Sequence, residues 1–478
     1  MKKKKTLSSH TKGTVQSIES IAEIIILSCL YYFFWKYFYF SMHFSETEIG
    51  GRIILAGVYG VLSYLFIKNS DGFQFGQLRK ADLNVAQWIA LLIVNTVTYF
   101  QLCLIANDMV DPMPMVLLML ADVILCFLYI NLVKFIYYHL YPPYNMVMIY
   151  GNKNAAGMKI KMDSRRDKYQ VNALISAEKG LDYIFEKLGS YDAAVLNDLN
   201  PQTRNAIVKY CYQHSIRVYV VPKITDIIIR NGEDITAFDT PLLLIAGHGL
   251  TIGQRCLKRA LDITLCLIAM IFAAPIMAII AIAIKLEDHG PVFYKQERVT
   301  LNDKIFYVTK FRSMIVDAEK VTGAVLASEN DPRITKVGKF IRATRLDELP
   351  QLLNILKGDM SVVGPRPERM SFIQEFCKEI PEFAYRTKVK AGLTGYAQIY
   401  GKYNTGPYDK LRMDLMYIEH YSLQMDIKLI LMTVRILFSK ESTEGIDIAE
   451  QNQKKVDALL DSLQDEENCA EDYSGVSN

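Results

Sequence analysis

Two adjacent carboxylates, Asp347 and Glu348, are the strongest candidates for chemistry in this sequence. Arg342 and Arg345 precede them, and Arg366 follows between two prolines that stiffen the backbone presenting it. Arginine forks bind phosphate oxygens in pairs, so the segment has the residue types of a phosphate site. A carboxylate pair beside arginines can form structural ion pairs, hold a magnesium ion or act as a nucleophile. The residue types alone leave these three uses open.

Other charged residues of the same region extend the candidate site. Lys310 and Arg312 lie in a short Lys-Phe-Arg-Ser-Met segment, where they could bind phosphate or form an ordinary solvated basic face. Asp359 precedes the Pro-Arg-Pro segment and adds a third carboxylate. Apolar residues at helical spacing follow the paired carboxylates and predict a helix that the pair opens. These residues are Leu349, Leu352, Leu353 and Leu356.

Composition excludes several other kinds of site. The seven histidines are scattered without a His-Glu-x-x-His motif, and the eight cysteines contain no Cys-x-x-Cys pair, which argues against a zinc site. Any metal is therefore expected to be a hard cation held by oxygen ligands, such as magnesium. The net charge of +3 is too small to indicate a nucleic-acid partner.

Four apolar runs at the start of the chain predict transmembrane helices. They cover residues 18–40, 53–67, 85–106 and 115–138, and a helix needs about 20 residues to cross a bilayer. Basic residues precede the first run and lie between the second and third, whereas Glu46 and Asp108 mark acidic loops after the first and third. This alternation predicts a cytoplasmic N-terminus, four crossings and a return to the cytoplasm.

A fifth apolar run at residues 263–284 is also long enough to span a membrane, but both of its flanks are basic. Pro275 lies near its middle, where proline removes a helix hydrogen bond and favours a kink. The pattern favours a re-entrant helix over about 258–285 that breaks at Pro275 and leaves by the side it entered. A kinked helix that spans the whole membrane is the alternative.

The middle of the chain predicts a cytoplasmic α/β domain. Strands are expected at residues 145–150, 193–196 and 217–221, with a helix at 201–214, and this alternation indicates a parallel sheet. The loop at 151–157 is rich in glycine and asparagine but lacks the middle glycine of a dinucleotide-binding fingerprint. A Rossmann-like domain with a regulatory or assembly role is therefore preferred to one that binds a dinucleotide.

Long motifs in a fixed order connect residues 255–438 with a known family. They are Gly-Pro-Val-Phe-Tyr-Lys-Gln-Glu-Arg-Val from Gly290, Lys-Phe-Arg-Ser-Met from Lys310, Arg-Leu-Asp-Glu-Leu-Pro-Gln-Leu from Arg345, Val-Gly-Pro-Arg-Pro-Glu from Val363 and Gly-Leu-Thr-Gly from Gly392. The pattern resembles the bacterial sugar transferase family, the monotopic polyprenyl-phosphate phosphoglycosyl transferases. With its four-span start and α/β middle, the chain looks like the larger members that initiate exopolysaccharide, capsule or O-antigen synthesis. Ala391 stands where many relatives have proline.

The resemblance implies a mechanism and partners. Asp347 would attack the sugar-bearing phosphorus of a UDP-sugar, release UMP and pass the phosphosugar to undecaprenyl phosphate. Asp347 would bind Mg²⁺, Glu348 would position the metal or the nucleophile, and Arg342 and Arg366 would clamp phosphate, with Lys310 and Arg312 as weaker candidates. The expected setting is the lipid of the bacterial inner membrane, with the catalytic domain on the cytoplasmic face and a homodimer as one arrangement.

The expected fold class combines membrane α with α/β. Residues 1–140 would form the four-helix transmembrane region, 141–250 the Rossmann-like domain, 251–440 a mostly α catalytic domain and 441–478 an acidic disordered tail. A stretch at 427–438 would be a membrane-surface helix or a core helix. Two other functions remain open, a non-catalytic membrane scaffold or nucleotide-sugar sensor and a membrane-bound dehydrogenase. The transferred sugar is not readable, although glucose and galactose are the first guesses.

Overall fold

The computed structural model describes residues 9–39, 49–151, 155–237, 239–247, 249–316, 331–401 and 405–437. The chain divides into two compact units at Pro222 and Lys223, earlier than the domain boundary predicted near residue 250. The centre of the 151–157 loop and the predicted 441–478 tail lie outside the described residues.

The first unit begins with four long apolar helices, one for each predicted run. They are α1 (Ser9–Phe34, continued as a π-helix over Trp35–Tyr39), α2 (Ile49–Asn69), α3 (Lys80–Ala106) and α4 (Met113–Leu140). Each contains a segment long and apolar enough to cross a membrane, including α2, whose predicted run was the shortest. Ile54, Leu104 and Phe135 on their outer faces are 67%, 82% and 62% exposed. Such apolar surfaces are expected of helices surrounded by lipid.

Polar side chains link these helices inside their bundle. The hydroxyl group of Tyr59 on α2 lies 3.0 Å from Asn95 Oδ1 on α3 and 3.0 Å from Asp122 Oδ2 on α4. Asn95 Nδ2 donates a further hydrogen bond of 2.9 Å to Asp122. Hydrogen bonds of this kind fix neighbouring apolar helices against one another.

The same unit continues into a four-stranded parallel sheet with strand order β2-β1-β3-β4. Its elements are β1 (Tyr144–Tyr150), α5 (Ala155–Asp163), β2 (Tyr169–Ser176), α6 (Leu181–Leu188), β3 (Ala193–Asn197), α7 (Pro201–Gln213) and β4 (Arg217–Val220). The structure confirms the three predicted strands, the helix between them and the parallel pairing. The sequence prediction missed β2.

The second unit contains the motif-rich region. In its described residues it is mostly helical, with three two-stranded sheets: β5–β6 and β7–β8 are antiparallel, and β9–β10 is parallel. Its helices are α8 (Ile224–Arg230), α9 (Ile252–Asp288), α10 (Lys336–Ala343), α11 (Gln351–Lys357), α12 (Met370–Glu379), α13 (Tyr396–Tyr400), α14 (Pro407–Glu419) and α15 (Leu423–Leu437). Its strands are β5 (Glu233–Ala237), β6 (Thr240–Leu244), β7 (Phe293–Val299), β8 (Ile305–Phe311), β9 (Ser361–Val363) and β10 (Gly392–Thr394).

Helix α9 contains the fifth apolar run. It is one continuous α-helix with Pro275 inside it, so the break predicted at Pro275 is not confirmed. It is also the fifth helix of the described chain that is long and apolar enough to cross a membrane. Cys266 and Ala273 pack with Ile355 and Met360 in one core of the unit. Ile271 and Phe272 are 71% and 70% exposed on another face. One helix therefore presents an apolar surface outward while it supports the elements around the motifs.

Helix α15 covers residues 427–437 of the stretch that was expected to be a membrane-surface helix or a core helix. Leu429 and Met432 are each 1% exposed and belong to the core of the unit, whereas Ile427 and Val434 are 36% and 37% exposed. One face of the helix is therefore core, and the other remains available at the surface. Phe438, the last residue of the predicted stretch, lies outside the described residues.

Candidate active site

The paired carboxylates lie on a short 3₁₀ turn, Leu346–Glu348, between α10 and α11. Arg345 precedes the turn with a positive φ of 56°, a left-handed conformation that is uncommon for a bulky residue. Helix α11 begins at Gln351, directly after Pro350, so the pair precedes the predicted helix and does not open it. The 3₁₀ turn thus places the carboxylates at the junction of α10 and α11.

Glu348 is held by two cations. Its Oε1 atom accepts hydrogen bonds from Lys310 Nζ at 2.8 Å and from Arg366 Nη2 at 3.0 Å. The Glu348 side chain is 17% exposed, against 23% for Lys310 and 45% for Arg366. Burial opposes ionisation of Glu348, but the charges and hydrogen bonds of Arg366 and Lys310 outweigh it and lower the pKa to about 2. Glu348 is therefore a fixed anion at neutral pH.

Asp347 has a different environment. Burial raises the pKa of its carboxyl group above the ordinary value, and the charge of Glu348 acts in the same direction, while Lys310 and Arg342 oppose the shift. In the described part of the chain the Asp347 carboxylate forms no ion pair. It is consequently the member of the pair whose oxygens are available to an incoming group.

Arg342 is the cation best placed to receive a substrate anion near Asp347. It lies in the last turn of α10, acts electrostatically on both Asp347 and Asp331, and is paired with no carboxylate among the described residues. Arg366 by contrast already contacts Glu348, but its side chain remains 45% exposed. The guanidinium groups of Arg342 and Arg366 therefore both lie near the carboxylate pair, where they could bind phosphate oxygens.

The β7–β8 hairpin explains how Lys310 reaches Glu348. Phe306 and Val308 on β8 are 4% and 2% exposed, and Lys310 continues this inward-facing alternation. Asn354 on α11 binds the same strand, since it accepts a hydrogen bond from the Thr309 amide at 2.9 Å and donates one to the Tyr307 carbonyl at 2.8 Å. The strand that carries Lys310 and the helix after Glu348 are thus joined directly.

Close backbone packing holds the loop that presents Arg366. A Cβ atom on Gly364 would lie 2.4 Å from the Lys390 carbonyl oxygen, and one on Gly392 would lie 2.1 Å from the Gly364 nitrogen. The Gly392 amide donates a hydrogen bond of 2.9 Å to the Pro365 carbonyl. Both glycines are therefore required by the approach of two chain segments.

A second layer of charge supports the same loop, and the sequence prediction missed it. Arg386 Nη2 donates hydrogen bonds to the Arg366 carbonyl at 3.0 Å and to Asp414 Oδ2 at 2.8 Å, and Arg386 Nη1 lies 3.7 Å from Glu368. Arg386 and Asp414 are 5% and 1% exposed. Arg386 follows Arg366 by twenty residues and lies in a 3₁₀ segment, so no local motif links the two.

Two other charged residues have partners elsewhere. Arg312, a weaker candidate for phosphate binding, is 7% exposed and pairs with Asp288 at the end of α9. Asp359 pairs with Lys357 at 3.2 Å. The structure therefore brings Lys310, Arg342 and Arg366 to the carboxylate pair, while it gives Arg312 and Asp359 contacts of their own.

Ala391 has a specific contact at the position where many relatives have proline. Its amide donates a hydrogen bond of 3.1 Å to Thr300 Oγ1, and Thr300 Oγ1 in turn donates one of 3.0 Å to the Asp359 carbonyl. Proline has no N–H group and could not make the first bond. The hydrogen bond fixes this turn in place of the proline ring.

The donor set fits one mode of magnesium binding. No group of three or more His, Cys, Asp or Glu side chains that could hold a metal occurs among the described residues. Magnesium usually keeps several waters and is bound by one or two carboxylates together with substrate phosphates. Asp347 has no competing ion pair, and the cations of Glu348 both contact Oε1, so the pair offers oxygens for this mode.

Comparison with known proteins identifies the motif-rich region. Residues 253–440 match the family described as bacterial sugar transferase. A Bacillus subtilis (strain 168) protein with the provisional name undecaprenyl-phosphate N-acetylgalactosaminyl 1-phosphate transferase is 50% identical over 144 residues, which cover 29% of this chain and 80% of the relative.

Two longer relatives each match about two fifths of this chain. The UDP-N-acetylgalactosamine-undecaprenyl-phosphate N-acetylgalactosaminephosphotransferase of Aeromonas hydrophila is 42% identical over 38% of this chain and 44% of its own length. The UDP-glucose:undecaprenyl-phosphate glucose-1-phosphate transferase of Escherichia coli (strain K12) is 41% identical over 41% of this chain and 42% of its own length. The chain thus spans less than half the length of these two relatives, and it belongs to the bacterial sugar transferase family.

Proposed function

We propose that this protein transfers a sugar 1-phosphate from a UDP-sugar to undecaprenyl phosphate and releases UMP, as the first membrane step of exopolysaccharide, capsule or O-antigen synthesis. Family membership and the names of the relatives support the reaction class. The observation that carries the assignment of roles is the unequal pairing of the two carboxylates. Glu348 is bound by Lys310 and Arg366, whereas Asp347 forms no ion pair in the described structure.

In the first step, an Asp347 carboxylate oxygen attacks the phosphorus that bears the sugar. A bond forms between Asp347 and that phosphorus, the bond from the phosphorus to the oxygen bridging the two phosphates breaks, and UMP leaves with the bonding electrons. The product is a sugar-phosphoryl aspartate. In the second step an oxygen of undecaprenyl phosphate attacks the same phosphorus, the bond to Asp347 breaks, and the carboxylate is restored.

Charge neutralisation is the main requirement of the first step. Two unit negative charges about 4 Å apart repel by roughly 4 kcal/mol at an effective dielectric constant near 20. Arg342 and Arg366 can stabilise the phosphate oxygens as charge develops, and Lys310 lowers the repulsion between Asp347 and Glu348. Arg342, Arg366 and Lys310 would thus each have a role in the first step.

Magnesium is part of the proposal. Asp347 would hold the ion together with the diphosphate of the substrate, and Glu348 would position the ion or the nucleophile. When bound, Mg²⁺ neutralises negative charge on the reacting phosphates.

The membrane arrangement follows from the location of the two substrates. A UDP-sugar is soluble, whereas the phosphate of undecaprenyl phosphate lies at a membrane surface, so the site must lie where they meet. We propose that α1 to α4 cross the inner membrane and that α9 enters and leaves the cytoplasmic leaflet around Pro275. The parallel-sheet region would then serve regulation or assembly on the cytoplasmic side.

The transferred sugar is left to experiment, because the relatives named above carry either N-acetylgalactosamine or glucose. A panel of UDP-glucose, UDP-galactose and their N-acetylated counterparts, each supplied with undecaprenyl phosphate and Mg²⁺, should reveal UMP release with one or more donors. Asp347→Asn should lower this rate by at least about a thousandfold, since the substitution removes the attacking oxygen anion.

Asp303→Asn is the matched control, because it makes the same chemical change at an exposed carboxylate that pairs with neither Lys310 nor Arg366 in the described structure. It should release UMP at the rate of the unmodified protein. UMP release that persists in Asp347→Asn would exclude Asp347 as nucleophile. A complete lack of UMP release across the panel would favour a scaffold or nucleotide-sugar sensor.

A further inference from the structure

Three charged residues on one turn of the apolar helix α9 face the interior of the second unit. Lys258 and Asp262 are 5% and 3% exposed, and Arg259 between them is partly buried. The proposed chemistry uses none of the three. Charges this well buried are costly unless they are paired, so each is expected to have a defined partner.

Arg259 binds the far end of the helix that follows the carboxylate pair. Its Nη1 and Nη2 atoms donate hydrogen bonds of 2.6 Å to the carbonyls of Ile355 and Leu356 in α11. The last carbonyls of a helix have no partner within it and form the negative end of its dipole, so a guanidinium fork satisfies both needs. The position of α11, and with it the turn that carries Glu348, is set from α9.

Asp262 binds the strand that leads to Arg366. Its Oδ1 atom accepts hydrogen bonds from Ser361 Oγ at 3.0 Å and from the Val362 amide at 2.9 Å. Both donors lie in β9, which continues through Gly364 into the Pro-Arg-Pro loop. The same turn of α9 therefore also holds the strand that leads to Arg366, the other member of the Glu348–Arg366 pair.

Lys258 anchors this turn to the rest of the unit. Its Nζ atom lies 2.7 Å from Asp426 Oδ2 in α15, and Tyr417 in α14 donates a hydrogen bond of 2.7 Å to the other oxygen of Asp426. The side chains of Lys258 and Asp426 are 6% and 1% exposed. The turn consequently has a rigid third attachment, so it can hold α11 and β9 at a set separation.

We propose that Arg259 and Asp262 are positioning residues, which set the separation of the Asp347–Glu348 turn from Arg366 and so couple the seating of α9 to the geometry of the active site. Arg259 controls one side of the Glu348–Arg366 contact and Asp262 the other. A displacement of about 1 Å between reacting groups can lower a rate by about a hundredfold, so hydrogen bonds of this kind have leverage on catalysis. The inference rests on the proposed function.

The test compares two substitutions of one residue in the full-length protein in lipid nanodiscs. Asp262→Ala removes both accepted hydrogen bonds, whereas Asp262→Asn keeps an oxygen that can accept them. We expect Asp262→Ala to lower kcat for UMP release about tenfold to a hundredfold, with less than about a threefold change in the KM for the UDP-sugar. Asp262→Asn should restore most of kcat, and Arg259→Lys, which keeps charge without the fork, should resemble Asp262→Ala.

Thr251→Ala is the matched control on the same helix. Thr251 caps the N-terminus of α9, where its Oγ1 atom accepts a hydrogen bond from the Gln254 amide, and it touches neither α11 nor β9 in the described structure. It should lower thermal stability without lowering kcat per folded molecule. A general loss of stability would therefore not imitate the predicted effect.

Hydrogen exchange separates the inference from the proposed function. In Asp262→Ala, amides of β9 and of the loop carrying Arg366 should exchange faster, and Thr251→Ala should leave them unchanged. Unchanged kcat and unchanged exchange in Asp262→Ala would overturn the inference and leave the function standing. Faster exchange with no UMP release from the unmodified protein would support the coupling and reject the function.

Discussion

Asp347 and Glu348 are neighbours in the sequence but meet opposite electrostatic conditions. Two cations contact Glu348 and lower its pKa to about 2, while burial and the adjacent anion raise the pKa of Asp347. The Asp347 carboxylate forms no ion pair and its charge is disfavoured by burial, so it is suited to attack a phosphorus. Glu348 is a fixed anion and is suited to orient the groups around it. The two residues should therefore respond differently to loss of charge.

Replacement of Glu348 should lower stability, whereas replacement of Asp347 should not. Glu348→Gln leaves Lys310 and Arg366 without their anion and should lower the free energy of unfolding at pH 7 by about 1–2 kcal/mol. Asp347→Asn removes a charge that burial disfavours and should leave the melting temperature equal or higher. Thermal unfolding of the two variants in nanodiscs, with Asp303→Asn as the reference, measures both effects.

The direction of each pKa shift determines how the contribution of that carboxylate to stability changes with pH. The folded-state pKa of Glu348 lies below its ordinary value of 4.5, so its ionised form stabilises the fold above that pH, and this stability is lost as pH falls through about 2. The deficit of Glu348→Gln should thus stay constant from pH 7 to about 5. For Asp347, whose pKa is raised, ionisation opposes folding at neutral pH. A destabilised Asp347→Asn with an unaffected Glu348→Gln would contradict these assignments.

The sequence predicted some of the charged residues that lie near the carboxylate pair. Motif order and charge brought Lys310, Arg342 and Arg366 to the carboxylates, and the structure places all three there. The sequence did not indicate that Arg312 pairs with Asp288 or that Arg386 donates a hydrogen bond to the Arg366 carbonyl. Such pairings join residues about twenty positions apart, and only the fold decides which of many charges meet.

At the scale of elements, the parallel pairing of β9 with β10 governs where Arg366 can lie. The two strands pair in parallel through Gly392 with Ser361 and Thr394 with Val363. The Gly364 amide donates a hydrogen bond of 2.8 Å to the Thr394 carbonyl just beyond this pairing. Because backbone lies against backbone at this point, a side chain on Gly364 would have to push the strands apart.

Gly364→Ala should therefore displace the Pro-Arg-Pro loop. Its Cβ would lie 2.4 Å from the Lys390 carbonyl, and such overpacking costs about 1–3 kcal/mol. We expect a lower melting temperature and about a tenfold or greater loss of UMP release. Gly253→Ala is the control, because its Cβ would meet nothing within 4 Å in the first turn of α9. Equal activities of the two variants would show that the loop tolerates the shift.

Element prediction succeeded where the hydrophobic pattern was continuous. The buried strands β1 and β3 and the helix α7 were found nearly to the residue. Strand β2 was missed because it mixes polar residues such as Gln170 and Asn172 with apolar ones, as an edge strand does. Helix α9 was expected to begin near 258, but its capping box at Thr251 and Gln254 starts it earlier.

At the scale of the whole chain, apolar helices decide where the chemistry can occur. In the part of the chain that the structure describes, five helices are long and apolar enough to cross a membrane, and both flanks of the apolar run in α9, residues 263–284, are basic. Lys258 and Arg259 on the first flank are bound within the second unit, so they keep that flank with the catalytic residues. The proposed re-entrant path keeps the second flank on the same side.

Cysteine accessibility tests this topology. Cys256 is exposed just before the apolar part of α9, and Asp303 is exposed beyond its other end. Two single-cysteine proteins, one retaining Cys256 and one carrying Asp303→Cys, should both resist a membrane-impermeant maleimide in intact spheroplasts and react after lysis. Labelling of Asp303→Cys alone in intact spheroplasts would show that α9 spans the membrane and would place the active site where nucleotide sugars are absent.

The most direct measurement of the central claim is the mass of the protein after exposure to an active UDP-sugar and Mg²⁺ without undecaprenyl phosphate. The account predicts one added phosphosugar on the peptide containing Asp347, one equivalent of UMP released, and loss of the adduct when undecaprenyl phosphate is added. Asp347→Asn should gain no mass. Transfer to the lipid in a single step, with no adduct and no UMP released before the acceptor arrives, would contradict it.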